Sequence, residues 1–217
     1  RRSSDLAGNN AAEAYSPTVR ESDGLRVAFV AFTWVVPDGW PATGSSPGCA
    51  TAYSRERVER TVREAKSAAD YVVASFHWGI ELATAPNQDQ RDLAHLAVDS
   101  GADLVLGHHP HVVQGFKLYK GRLIAYSLGN FIFSPPREIS SRSLILVAML
   151  GPQGLIQAKV VPAVIRNCRP VILSGQEAVR WLGTVASYST AMDTRMEVRG
   201  DRGYIGGALR AVEGASN

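Results

Sequence analysis

Three apolar runs, Leu25–Thr33, Tyr71–Phe76 and Ala102–Leu106, alternate with two amphipathic stretches, and this order restricts the first half of the chain to few folds. Each run is short and bounded by turn residues, as buried strands are. After the first, Ser54 offers an N-cap to a helix reaching about Ala69, with Val58, Val62 and Ala65 on one face and Arg57, Glu59, Arg60 and Glu64 on the other. After the second, Pro86 and Asn87 open a second helix; Leu93, Leu96 and Ala97 form its stripe, and Gly101 ends it. Strand, helix, strand, helix, strand is the order of right-handed crossover units, which build a parallel sheet.

Parallel strands share one direction, so their carboxyl ends reach a single sheet edge, where open α/β sheets keep their chemistry. Histidines gather there: His77-Trp78-Gly79 leaves the second strand and Gly107-His108-His109-Pro110-His111 leaves the third. Neutral imidazole is the commonest metal-ligating side chain. In an extended His-x-His segment, His109 and His111 point the same way, and Pro110 stiffens the backbone between them. His95, inside the second helix, is expected only to pack or cover its surface.

A two-metal hydrolytic site also needs carboxylates. Glu81, four residues after His77, is a candidate for a site role or a solvated loop charge. Asp103 is expected to be buried or edge-facing within its strand. Asn130, in Ser127-Leu128-Gly129-Asn130-Phe131, either offers its amide to a ligand or serves as a turn residue.

Beyond His111 the pattern turns to short strands and tight turns: 115–119 and 123–128 around Lys120-Gly121, then 143–150 and 155–165 around Gly151-Pro152-Gln153-Gly154. These read as antiparallel. A helix is expected over about 176–191. The fold class is therefore α/β, a parallel βαβαβ unit followed by antiparallel strands and a C-terminal helix. Three segments are expected: a polar N-terminal stretch over 1–24, a body over 25–191 and a flexible tail over 192–217. The Pro- and Gly-rich loop over 36–48 is long enough to invite a functional role.

With 217 residues, 45% hydrophobic and 20% charged, the chain can bury a sizeable core in one domain. A net charge of +3 from scattered basic residues gives no support for a nucleic-acid partner. No apolar stretch reaches the ~18 residues of a membrane span, and Arg1-Arg2-Ser3-Ser4 leads into no apolar export signal. Cys49 and Cys168 have no zinc or redox spacing, and their pairing stays open.

Three blocks, His77-Trp78-Gly79-Ile80-Glu81, the segment from Gly101 to Gly115, and Tyr126-Ser127-Leu128-Gly129-Asn130-Phe131, together resemble the CapA-like capsule synthesis proteins of the poly-γ-glutamate type. That family is a branch of the calcineurin-like metallophosphoesterases. The resemblance runs over about residues 8–190, with Arg169-Pro170 similar to a late segment. It implies a metallophosphoesterase-like sandwich carrying a binuclear centre of divalent Mn, Zn or Fe. By position, His77, His109 and His111 are the implied metal ligands. Glu81 and His108 are the implied catalytic or substrate-contacting groups, and Trp78 and Asn130 the implied substrate-binding ones.

The family's opening Gly-Asp, Asn-x-Glu and Ala-Asn-Asn-His ligand blocks are not in this sequence, so the chain reads as the C-terminal half of a member. Those blocks would add strands to the same sheet. The first strand here is therefore expected to show an exposed edge or an uncovered apolar face, and the chain to be unstable, to dimerise or to recruit a companion segment. The resemblance further implies an anionic polymer or phosphoester substrate and a cell-envelope or extracellular setting. Two activities fit it, a metal-dependent hydrolase and a non-catalytic holder of a polyanionic chain; an inactive fragment is the bland alternative.

Overall fold

The computed structural model describes residues 7–134 and 137–206. Its strands and helices, in chain order, are β1 (Ala7–Gly8), α1 (Ala11–Ala14), β2 (Thr18–Ser22), β3 (Leu25–Thr33), β4 (Gly48–Cys49), α2 (Arg55–Ala68), β5 (Tyr71–His77), α3 (Gln88–Asp99) and β6 (Leu104–His108). There follow β7 (Phe116–Tyr119), β8 (Arg122–Ala125), β9 (Arg142–Gly151), β10 (Gly154–Arg166), β11 (Arg169–Ile172), α4 (Gly175–Thr190), β12 (Glu197–Arg199) and β13 (Arg202–Ile205).

The predicted βαβαβ unit forms the centre of a six-stranded sheet of order β2-β3-β5-β6-β8-β7. Both helices start as their caps dictate. Ser54 accepts from the Arg57 amide at the head of α2, and Asn87 and Gln90 form a reciprocal capping box on α3. Val58, Val62 and Ala65 of α2 and Leu93, Ala94 and Ala97 of α3 are buried against the alternate strand residues Val30, Phe32, Val72, Ala74, Phe76 and Val105. Period 3.6 meets period 2 along this layer, which is why the two patterns identified it.

On the other face, Val73, Leu104, Phe116 and Leu123 pack against Ala158, Val160 and Ile205 of a second, five-stranded sheet and against Leu182 and Val185 of α4. The result is an α/β sandwich of one parallel-centred and one antiparallel sheet.

Three expectations change. β8 closes a hairpin with β7, its turn at Lys120 and Gly121 in left-handed conformation, but it also joins β6 in parallel and so belongs to the first sheet. The N-terminal stretch is not merely loop: β2 pairs with β3 from Thr18↔Phe29 to Ser22↔Leu25. It therefore covers the Leu25–Phe29 part of the edge expected to be bare, and its own outer side is short and charged, with Arg20 and Glu21, which discourages further pairing. Nor is the tail loose up to Gly206: β12 and β13 form a hairpin whose β13 hydrogen-bonds β10, burying Ile205. Residues 207–217 of the expected tail lie outside the described residues.

The loop over 36–48 is tied back on itself, with Cys49 donating to the Trp40 carbonyl and Ala42 to that of Cys49. Both cysteines are free thiols. Among the described residues no helix is long and apolar enough to cross a membrane.

Candidate metal centre

His77 and His108 are register partners at the carboxyl ends of β5 and β6, so the two predicted histidine segments do meet at one sheet edge. The imidazoles of His77 and His109 lie 4.7 Å apart, centroid to centroid, at 53°, and His111 lies 6.1 Å beyond His109. Ligand atoms of Glu81, His109 and His111 all fall within 4.8 Å of one another. Two imidazoles and a carboxylate at that separation fit one divalent cation of the Zn, Mn or Fe type. His77 borders this trio through His109 and is not itself within it.

The reason His109 and His111 converge differs from the extended segment expected. Both have left-handed backbones, φ 94° and 59°, on either side of Pro110. Such a conformation costs a non-glycine residue about 1–3 kcal/mol and persists only where surrounding contacts hold it. Those contacts are present: the Leu82 amide donates to the Pro110 carbonyl at 2.8 Å, and the Asn130 side chain donates to the His111 carbonyl at 3.2 Å. The first bond also draws the loop carrying Glu81 onto the histidine segment. Gln114 fastens that loop from below, its amide donating to the carbonyls of Ala83 and Ala85.

Asn130 decides the chemistry of His111. Its Nδ2 is committed to two carbonyls, those of His111 and Ser140, so Oδ1 must accept from His111 Nδ1 at 2.8 Å. That fixes the proton on Nδ1 and leaves the Nε2 lone pair free for a cation. The expected role of Asn130 as a substrate contact is therefore replaced. It is 8% exposed, with Oδ1 and Nδ2 both engaged, and it orients His111.

Electrostatics favours neutral ligands. Burial, then the neighbouring histidines, pushes His77 down to about 4. Burial also lowers His109, against the opposing pull of the Glu81 carboxylate. Neutral imidazoles bind metal without first losing a proton.

Trp78 does not fit the substrate-binding role either. It is 1% exposed, stacked on Phe76 at 4.4 Å and 10°, and its Nε1 donates to the Tyr126 carbonyl. Gly107 allows this packing, since a Cβ there would overlap the Tyr126 carbonyl and crowd Trp78 Nε1. His108 is exposed and lines a separate groove of about 300 Å³ with Leu128, Phe131 and Leu144, apart from the Glu81 trio. His95 stacks on Tyr119 at 4.0 Å and 16°, a packing residue. Asp103 is buried between Lys66 and Arg122, an anchor away from the site. The pattern of residue types drew no attention to Gln114, Ser140 or Arg137, although Gln114 follows His111 by three positions.

A family model described as bacterial capsule synthesis protein PGA_cap matches residues 7–135, a span that includes every residue of this centre from His77 to Asn130. The chain belongs to that family. Its relatives include the PGA biosynthesis protein CapA of Bacillus subtilis (strain 168), 37% identical over 148 residues, which are 68% of this chain and 39% of that protein. The capsule biosynthesis protein CapA of Bacillus anthracis is 35% identical over 167 residues, 76% of this chain and 41% of that protein. The chain thus spans about two fifths of the length of the curated relatives it matches. Among solved structures, the sulfate thiohydrolase SoxB of Thermus thermophilus is similar over 79% of this chain and 28% of its own, with a TM-score of 0.45 and 16% identity.

Proposed function

We propose that this chain serves capsule or poly-γ-glutamate synthesis at the cell envelope through a divalent-metal centre held by Glu81, His109 and His111. The single observation that carries the reading is the convergence of those three ligand atoms within 4.8 Å. The CapA relatives, named for PGA and capsule biosynthesis, supply the capsule and PGA setting. A bound divalent ion would supply Lewis-acid polarisation of an anionic oxygen. On this reading His77 is a ligand to a second ion in a binuclear arrangement, completed by a companion segment or a second copy. Its depressed basicity supports that role. His108 contacts the ligand chain from its neighbouring groove.

The test is metal content and Mn²⁺ or Zn²⁺ titration of the wild-type chain beside a His109→Ala, His111→Ala double variant. Stoichiometric binding in the first and its loss in the second is expected; equal content in both overturns the reading.

A second reading, that the centre holds a polyanionic chain without hydrolysing it, is favoured by one feature. The trio contains a single carboxylate, whereas activating a bridging water in a two-metal site normally draws on several. Turnover of a generic phosphodiester with Mn²⁺ would remove it, and polyglutamate binding without turnover would favour it.

A further inference from the structure

Most edges of the two large sheets are guarded. β2 carries Arg20 and Glu21, β11 contains Arg169 and Pro170, and β12 is three residues long with Glu197 and Arg199. The edge of β7 is covered, its Phe116 and Leu118 amides donating to the Ser189 and Thr194 hydroxyls at 3.1 and 2.8 Å. Charge, proline, brevity and cover all keep an edge from pairing with another chain. From Ile145 to Gly151, β9 has none of these: the stretch holds no charged residue and no proline, and among the described residues its strand partner is β10 alone.

The backbone shows which groups lie on the open side of β9. The Leu144 amide points away from β10 and donates to the Leu128 carbonyl at 3.2 Å, and its register partner on β10 is Pro162, which has no amide to give. Direction alternates along a strand, so the amides and carbonyls of Leu146, Ala148 and Leu150 point the same way, beyond the single bridge that Gly129 makes to Ser143. Burial agrees. Ala158 and Val160 of β10 are 0% exposed, whereas their register partners Ala148 and Leu146, packed on the same core, are only half-buried. On the outer face Val147 and Met149 are exposed.

We propose that this edge pairs with β9 of a second copy of the chain, antiparallel about a two-fold axis at Ala148, so that two sheets become one. The strand is complementary to itself in that register. Leu146 meets Leu150 of the second copy and Ala148 meets Ala148, and because these are the outward-facing residues, each pair exchanges both of its hydrogen bonds. Val147 meets Met149 of the second copy on the outer face, apolar against apolar. The next pair sets Leu144, whose amide is already bonded, against Pro152, which has none. Neighbouring registers fit worse: an axis at Met149 brings Pro152 opposite Leu146, and an axis at Val147 requires the Leu144 amide that Leu128 holds. An uncharged edge suits an uncharged strand, and β9 is one. Each copy has one such open side, so the assembly closes at two.

The experiment is sedimentation velocity on the full chain from about 1 to about 100 µM, where mass action draws out a short-edged dimer of micromolar affinity. Two double variants test the register. Val147→Lys with Met149→Lys sets like charges opposite each other twice and is expected to weaken the dimer about tenfold or more. Val147→Lys with Met149→Glu sets opposite charges there and is expected to recover most of that loss, with the same number of new charges on the same exposed face. In the wild type, hydrogen–deuterium exchange over 145–151 is expected to slow as concentration rises. A wild type that stays monomeric, a lysine pair that dimerises as the wild type does, or a folded Lys–Glu variant that recovers nothing overturns the proposal. Exchange over 145–151 that is equally slow at both concentrations overturns it in favour of cover by the chain's own residues. Species that grow beyond the dimer overturn the two-fold closure.

Discussion

Gln90 and Gln114 are both fully buried, and the side-chain amide of Gln90 donates to the side-chain oxygen of Gln114 at 2.8 Å. Gln90 Oε1 in turn accepts from the Asn87 amide, closing the cap of α3, while Gln114 Nε2 holds the carbonyls of Ala83 and Ala85. One buried amide pair thereby ties a helix N-terminus, the Glu81 loop and the His109–His111 segment together. Gly79 begins that loop at φ +89°, where a Cβ would run into the Gln90 amide.

Replacing Gln114 by Glu keeps its shape and removes both donors. The expected result is a loss of about 1–3 kcal/mol in urea unfolding from unsatisfied buried groups. Mn²⁺ affinity is expected to fall about tenfold, because Glu81 is no longer held beside the histidines. Leu182→Ala, a cavity in the opposite layer, should destabilise the chain and leave Mn²⁺ affinity intact. Parallel losses in both variants would show that Gln114 acts on the metal only through overall stability.

Alkaline stability should depend on Tyr126. Burial raises its phenol to about 12, above the unfolded value of about 10. The folded state keeps this proton where the unfolded state has lost it, so the contribution is complete below pH 10 and drains away as pH climbs towards 12. Urea midpoints measured from pH 9 to 11.5 should fall more steeply for the wild type than for Tyr126→Phe. Coincident slopes would contradict the assignment.

Asp103 carries a structural charge. It is 1% exposed and meets Lys66 Nζ at 2.9 Å and Arg122 Nη1 at 2.8 Å, and its Oδ2 also accepts from the Val72 amide. It thereby joins α2, β5 and β8 at the amino-terminal side of β6. Asp103→Ala should cost about 3–5 kcal/mol in equilibrium unfolding, since it strands Arg122 and a buried amide without their partner. An unfolding midpoint within error of the wild type would remove this role.

The first-layer strands and helices were legible because burial there is periodic. Val58, Val62 and Ala65, or Val72, Ala74 and Phe76, announce one buried face each from local sequence alone. β2 escaped this reading because its residues are mostly exposed and carry no alternation. The hairpin of β12 and β13 was similarly hidden among charges and glycines. The histidines were legible through their type and their position at strand ends. For Trp78 and Asn130, residue type does not say whether a polar atom is already satisfied. For Trp78 that answer lies in the Tyr126 carbonyl, and for Asn130 in Ser140 and His111.

By itself, then, the sequence determined the crossover order, the shared edge for His77 and the Gly107–His111 segment, and the resemblance that the family match bears out. Tertiary structure alone decided that His109 and His111 converge through left-handed backbones and that Glu81 rather than His77 completes the trio. The division has a physical cause. Periodic burial is a local property of a strand or helix, whereas the bonds that aim these side chains join loops far apart in the chain and exist only after both sheets have packed.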